Sequence, residues 1–144
     1  MKKLLFLLLI GLIVWWGSDY RPETDDSSQE AADNRWRVTA ESAYRNRLDT
    51  VWIEDEGVVD KILADDLQGA RHQRFILRLP SRQTLLVAHN IDKAPRLENL
   101  QIGSTLRFRG EYVWNDKGGL VHWTHHKSAM GDAGWLEKAG RRYE

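Results

Sequence analysis

The sequence predicts a mainly β protein: a small five-stranded OB-like Greek-key barrel with a short N-terminal helix, preceded by an N-terminal hydrophobic helix. Three observations predict it. From Thr50 onward the apolar pattern changes from a helical period to a period of two. Five alternating segments follow, set apart by turn signals, with one irregular insertion between the third and fourth. That is the strand inventory of this barrel. The 144 residues leave room for about one domain, and a hydrophobic fraction of 42% with 10% aromatics is enough to build its core.

The chain divides into a hydrophobic segment over 1–18, an acidic linker over 19–34 and a barrel domain over 35–144. Lys2 and Lys3 precede an unbroken apolar run from Leu4 to Trp16, followed by Gly17 and Ser18. A basic start and a short apolar run form an export signal or a membrane anchor. About 13–14 residues rise only ~20 Å against a ~30 Å hydrocarbon core, which is short for a span. The cleavage region is poor as well, because Trp15 or Trp16 occupies the third-last position before a cut at Gly17 or Ser18. Both readings place the rest of the chain outside the cytoplasm: facing the periplasm from a bacterial inner membrane, or in the periplasm if the signal is cleaved. Asp19, Glu23, Asp25, Asp26, Glu30 and Asp33, with Ser27, Ser28 and Pro22, make the following stretch a solvated, flexible linker.

A short helix is expected from Arg35 to Leu48, where Trp36, Thr39, Ala40, Ala43 and Arg47 recur at three- and four-residue spacing, with Tyr44 and Leu48 extending the stripe. Val51, Ile53, Val58, Val59, Ile62 and Leu63 mark a first strand, broken near Gly57. His72 to Leu79 alternates, with Gln73, Phe75, Leu77 and Leu79 on one face and His72, Arg74, Ile76 and Arg78 on the other. Pro80 to Gln83 is a turn, and Thr84 to Asn90 a third strand. Ala94 to Gly103 is a loop or short helix. Thr105 to Trp114 and Gly119 to His126 are the last two strands, joined through Asn115, Asp116, Lys117 and Gly118.

Composition excludes whole classes of function. The 21 basic and 21 acidic residues cancel, so there is no strong nucleic-acid signal. Cys is absent, which removes disulfides, thiolate metal sites and thiol nucleophiles. There is no G-x-S-x-G, P-loop, G-x-G-x-x-G or H-E-x-x-H motif.

The last two strands can be paired from their pattern. Setting Trp114 opposite Gly119 puts Glu111 opposite His122, Arg109 opposite Thr124 and Arg107 opposite His126 on one face. Tyr112 meets Val121, Gly110 meets Trp123 and Phe108 meets His125 on the other. Trp123 is then expected to fill the barrel interior against Gly110. The same reasoning on the preceding hairpin sets Arg74 opposite His89 and Arg78 opposite Leu85, which puts Arg74 and His89 on one outer surface. All five His lie in the domain: His72, His89, His122, His125 and His126. His122 and His126 stand about 13 Å apart along a strand, and His125 faces the other way, so a shared metal would need a further ligand from another strand. Strand histidines bonded to Glu111 and to backbone carbonyls are the simpler reading.

Several of these stretches carry a family resemblance. The run from Arg71 to Ile76, Leu86 to Asp92 with Ala94, Pro95 and Arg96, and Gly110-Glu111-Tyr112 belong to it. So do Trp114-Asn115, Lys117-Gly118-Gly119, His122-Trp123-Thr124-His125-His126 and Gly134-Trp135-Leu136. Together they resemble the bacterial domain of unknown function 3465 family, over roughly Val51 to Tyr143. The resemblance implies a small exported or membrane-anchored protein with no assigned activity. In that family an acidic residue often follows the double His, and a further His precedes the Gly-Trp. This chain has Lys127 there and no His between Ser128 and Ala133, which weighs against a metal or catalytic role for its C-terminal part.

The expectation is a membrane-tethered binding module for an anionic or polar ligand. Its candidate contacts are His72, Arg74, Arg78, His89, Asn90, Arg96, Glu111, His122, Thr124 and His126. No cofactor is expected. The alternative is a metal-assisted hydrolase of a phosphodiester, with Glu111 or His122 as general base. A divalent metal such as zinc would then draw on His72, His89, Glu111, His122, His125 and His126. A third reading is a structural accessory of an envelope complex, with an envelope protein as partner and the membrane engaged through the N-terminal segment.

Overall fold

The computed structural model describes residues 37–126 and 133–144. The expected anchor over 1–18, the linker and the first residues of the expected helix lie outside them. Among the described residues no helix is long and apolar enough to cross a membrane. The helix α1 spans Ala40–Arg45. It starts where it does because Thr39 caps it: the Thr39 hydroxyl accepts from the Ser42 amide at 3.2 Å, and Ser42 Oγ accepts from the Thr39 amide at 3.1 Å. Ala40 and Ala43 are its buried face. Tyr44 stacks on Trp114, with ring centroids 6.3 Å apart.

Seven strands follow: β1 (Val51–Ile62), β2 (His72–Arg78), β3 (Thr84–Asn90), β4 (Thr105–Val113), β5 (Leu120–His122), β6 (Trp135–Lys138) and β7 (Arg141–Tyr143). The first five run in the order β1-β2-β3-β5-β4, and β4 pairs back onto β1 to close the barrel. The β3–β5 pair is parallel and the other pairs antiparallel. The predicted five-stranded OB-like barrel is therefore the architecture found. Its core comes from alternate positions of these strands, among them Phe75, Leu77, Leu85, Val87, Leu106, Phe108, Tyr112 and Val121, all fully buried.

Four details differ from the expectation. β1 runs unbroken through Gly57, because the ladder with β4 continues there and pairs Gly57 with Leu106. The β2–β3 hairpin is shifted by one residue: Arg74 opposes Ala88, Gln73 opposes His89 and Arg78 opposes Thr84. β3 is apolar on both faces over Leu85, Leu86, Val87 and Ala88, so its pattern does not select a register. The turn does, through the Leu79 amide donating to the Gln83 carbonyl at 2.9 Å. His89 consequently joins Gln73 inside the barrel, and the outer face of this hairpin carries Arg74, Ile76 and Arg78 without it.

The third difference is the length of β5. Its pairs Glu111–His122, Tyr112–Val121 and Val113–Leu120 are the predicted ones, but the strand stops at His122. The fourth follows from it. The remaining edge of β4 is taken by β6, which sets Arg109 opposite Trp135 and Arg107 opposite Glu137, not opposite Thr124 and His126. β7 then pairs with β6, and Leu136 and Tyr143 add to the core. Two short strands of four and three residues, with Arg141 and Arg142 on the last, carry too little alternation to be read as strands from sequence.

Candidate functional site

The site is built on the place where β5 ends. Trp123 has φ +52°, a left-handed conformation that costs a bulky side chain free energy. The kink turns Thr124 and His125 inward, with exposures of 0% and 5%, and leaves the Trp123 indole half-buried rather than in the interior opposite Gly110. Two glycines make room for it. A Cβ on Gly110 would stand 2.4 Å from the His122 carbonyl oxygen, and one on Gly134 would stand 1.8 Å from that of Trp123. Gly110 is thus required by the backbone crossing above it, not by an indole. The Gly134 amide donates to the His125 carbonyl at 2.9 Å, so the chain that leaves at His126 returns to the same point.

His89 holds the kink from inside. It is fully buried. Its Nε2 faces the Pro95 carbonyl at 3.1 Å, and a carbonyl only accepts, so this nitrogen carries the proton. Nδ1 is then the acceptor for the Thr124 hydroxyl, 2.9 Å away. One imidazole therefore ties β3, the loop after it and the residue following Trp123. Burial pushes the His89 pKa down to about 4, so the ring is neutral near pH 7. Burial also lowers the pKa of His125, whose Nδ1 donates to the His126 carbonyl at 3.1 Å.

On the outer side the kink gathers a different set of groups. His122 Nε2 and Glu111 Oε1 are 3.0 Å apart, so a neutral His122 donates from Nε2 and keeps the lone pair on Nδ1. The Trp123 ring lies 6.1 Å from that of His122 and 5.1 Å from that of His125. Lys93 Nζ sits 5.1 Å above the indole. His126 is exposed, with its ring 6.3 Å from His125. Glu111, His122 and Lys93 therefore gather about the Trp123 indole, and the exposed His126 follows on the same stretch of chain.

The other candidates lie elsewhere and are engaged. Arg78 pairs with Asp60, and Arg96 with Asp65. Arg74 Nε donates to the Ala64 carbonyl at 3.0 Å. Asn90 Oδ1 accepts from the Asp92 amide at 2.9 Å, a turn of its own backbone. His72 exchanges both backbone hydrogen bonds with Asp66. Nearby, the Arg71 backbone amide and guanidinium hold the Asp92 carboxyl below the usual carboxylate range. His89 and Thr124 face inward and support the patch without lining it. Among the described residues no group of three His, Cys, Asp or Glu side chains is arranged to hold a metal.

Lys93 is the group that sequence reasoning missed. It lies in the loop after β3, and nothing in its local sequence sets it beside an indole that follows β5. Among the described residues its ammonium makes no ion pair. Other cations of the barrel are neutralised in pairs such as Arg37–Glu54, Arg71–Asp92 and Arg142–Glu137.

A family model described as protein of unknown function (DUF3465) matches residues 25–144. No curated protein and no solved structure matches the chain significantly.

Proposed function

The chain belongs to the DUF3465 family of proteins of unknown function, and from that premise we propose that it is a binding module for an anionic ligand, seated on the patch around Trp123. The observation that carries this reading is the charge balance of the patch. Lys93 stands over the Trp123 indole and makes no ion pair among the described residues, and His122 flanks the ring, while Arg78 and Arg96 are already paired with acids. An anion gains more from an ammonium without a carboxylate partner than from guanidiniums it must take from an aspartate. The strained backbone at Trp123 supports the same location, since such strain collects at ligand sites. His89, Thr124 and Gly134 act beneath as positioning groups.

Inorganic phosphate is the probe. With ¹⁵N-labelled full-length protein, phosphate at about pH 6 should shift the amides of Lys93, His122, Trp123 and His126, and Lys93→Ala should abolish the shifts. Shifts centred on Arg74 and Arg78 would reject the patch and favour the outer face of β2–β3.

A second reading draws on one specific contact. Glu111 orients His122 so that Nδ1 is the basic atom, an arrangement suited to general base catalysis on a phosphodiester. Turnover of a phosphodiester that is lost in His122→Gln would promote this reading over simple binding. The proposal also keeps the extracytoplasmic location, with the membrane engaged through residues 1–18, which lie outside the described residues.

A further inference from the structure

The outer face of the barrel carries a row of aliphatic side chains that belongs to neither the core nor the Trp123 patch. The ladders set its members in line. Ile76 on β2 opposes Leu86 on β3, Leu86 opposes Leu120 on β5, and Leu120 opposes Val113 on β4. The strand residues beside them are the buried ones, so these four point away from the interior. All four are half-buried, and none is part of the core. The one described helix, α1, packs against β1 instead.

The border of the row is cationic. Lys61 on β1 opposes Ile76 and is exposed. Arg74 stands two residues from Ile76 on the same face of β2. Neither Lys61 nor Arg74 makes an ion pair among the described residues, whereas Arg78, on the other side of Ile76, is matched by Asp60. An aliphatic row edged by cations without carboxylate partners complements a surface that is aliphatic with acidic flanks.

The backbone of the occupant is constrained as well. Ile76, Leu86 and Leu120 each have a paired residue on both sides, so the row offers no free edge to an incoming strand. A segment lying on it must satisfy its own amides, which an α-helix does. Three inter-strand spacings make the row about 14 Å long, or about two and a half helical turns. An apolar stripe at three- and four-residue spacing would cover it. The row has no aromatic ring for a base to stack on, which sets a nucleic acid aside.

We propose that this face docks an amphipathic helix of a partner protein, aliphatic along one stripe and acidic along its border. The probe is a synthetic helical peptide of Leu, Glu and Ala built to that pattern, titrated into ¹⁵N-labelled full-length protein. Amides of Lys61, Arg74, Ile76, Leu86 and Leu120 should shift while those of Lys93 and Trp123 stay still, which separates this face from the anion patch. Leu86→Ser and Arg74→Gln should each weaken binding roughly tenfold. Arg74→Gln removes a charge from the outer face, so it reads the acidic half of the contact even where Leu86→Ser loosens the sheet. Equal binding of the same peptide with Lys in place of Glu, equal shifts with phosphatidylglycerol vesicles, or no shift at millimolar peptide would each overturn the assignment.

Discussion

At Trp123 the backbone and side chain make opposite demands. The φ of +52° favours glycine, while the indole is wanted at the surface beneath Lys93. Trp123→Gly should therefore be more stable than Trp123→Ala, by about 1 kcal/mol, the left-handed penalty of an L side chain. Urea denaturation of the pair would measure it, and the reverse order would mean that the kink relaxes freely. Gly110→Val should lose about 1–3 kcal/mol through overpacking against the His122 carbonyl. The buried His89 sets a pH dependence. Its folded pKa of about 4 lies below the unfolded value near 6.5, so the unfolded chain takes up the proton first. Stability is fully present above about pH 6.5 and falls as the pH drops towards 4, by about 3 kcal/mol in all. His125, also lowered by burial, acts in the same sense. Stability curves at a series of pH values should show this slope, and His89→Asn should flatten it.

Among the elements, the loop after β3 and the β6–β7 ribbon each depend on a buried side chain, Gln73 for the loop and Leu136 for the ribbon. Gln73, buried on β2, donates to the Leu97 carbonyl at 3.1 Å and accepts from the Leu97 amide at 2.9 Å. Gln73→Leu would fill the space but leave both backbone groups buried and unpaired, at about 1–3 kcal/mol each. The loop should loosen, read as faster hydrogen exchange at Leu97, and Lys93 should leave the indole. Leu136 is the core anchor of the ribbon, fully buried opposite Phe108. Leu136→Ala should cost about 2–5 kcal/mol in chemical denaturation. A smaller loss would mean that β6 and β7 are an ornament on β4 rather than part of the cooperative unit.

For the molecule as a whole, the barrel closes through the β1–β4 ladder, the longest in the sheet, and leaves β7 as an edge. Arg141 and Arg142 on that edge discourage pairing with another chain. Attachment is the property to test at this scale. If the apolar segment stays on the chain, full-length protein should sediment with membranes and resist carbonate extraction. A chain beginning at Asp33 should be soluble and folded. Soluble full-length product with an N-terminus near Asp19 would mean a cleaved signal instead.

Local pattern carried a good part of this structure. The strict alternation from His72 to Leu79, the β4 alternation and the turn residues from Pro80 and Asn115 place β2, β3 and β4 within a residue of where they lie. The Glu111–His122 pair also follows from pattern, because a slip there would exchange polar and apolar faces. The remainder depends on contacts between distant segments. β3 is apolar on both faces, so whether His89 points in or out is decided by the turn and by the Thr124 and Pro95 partners that receive it. The period of two continues past His122, yet the strand ends there, because β6 competes for the same edge of β4 and Gly134 lets the chain return. Lys93 reaches Trp123 only once both loops are seated on the closed barrel. An alternating pattern states which faces are apolar; which neighbour each edge takes is a comparison of whole arrangements, and only the folded chain makes it.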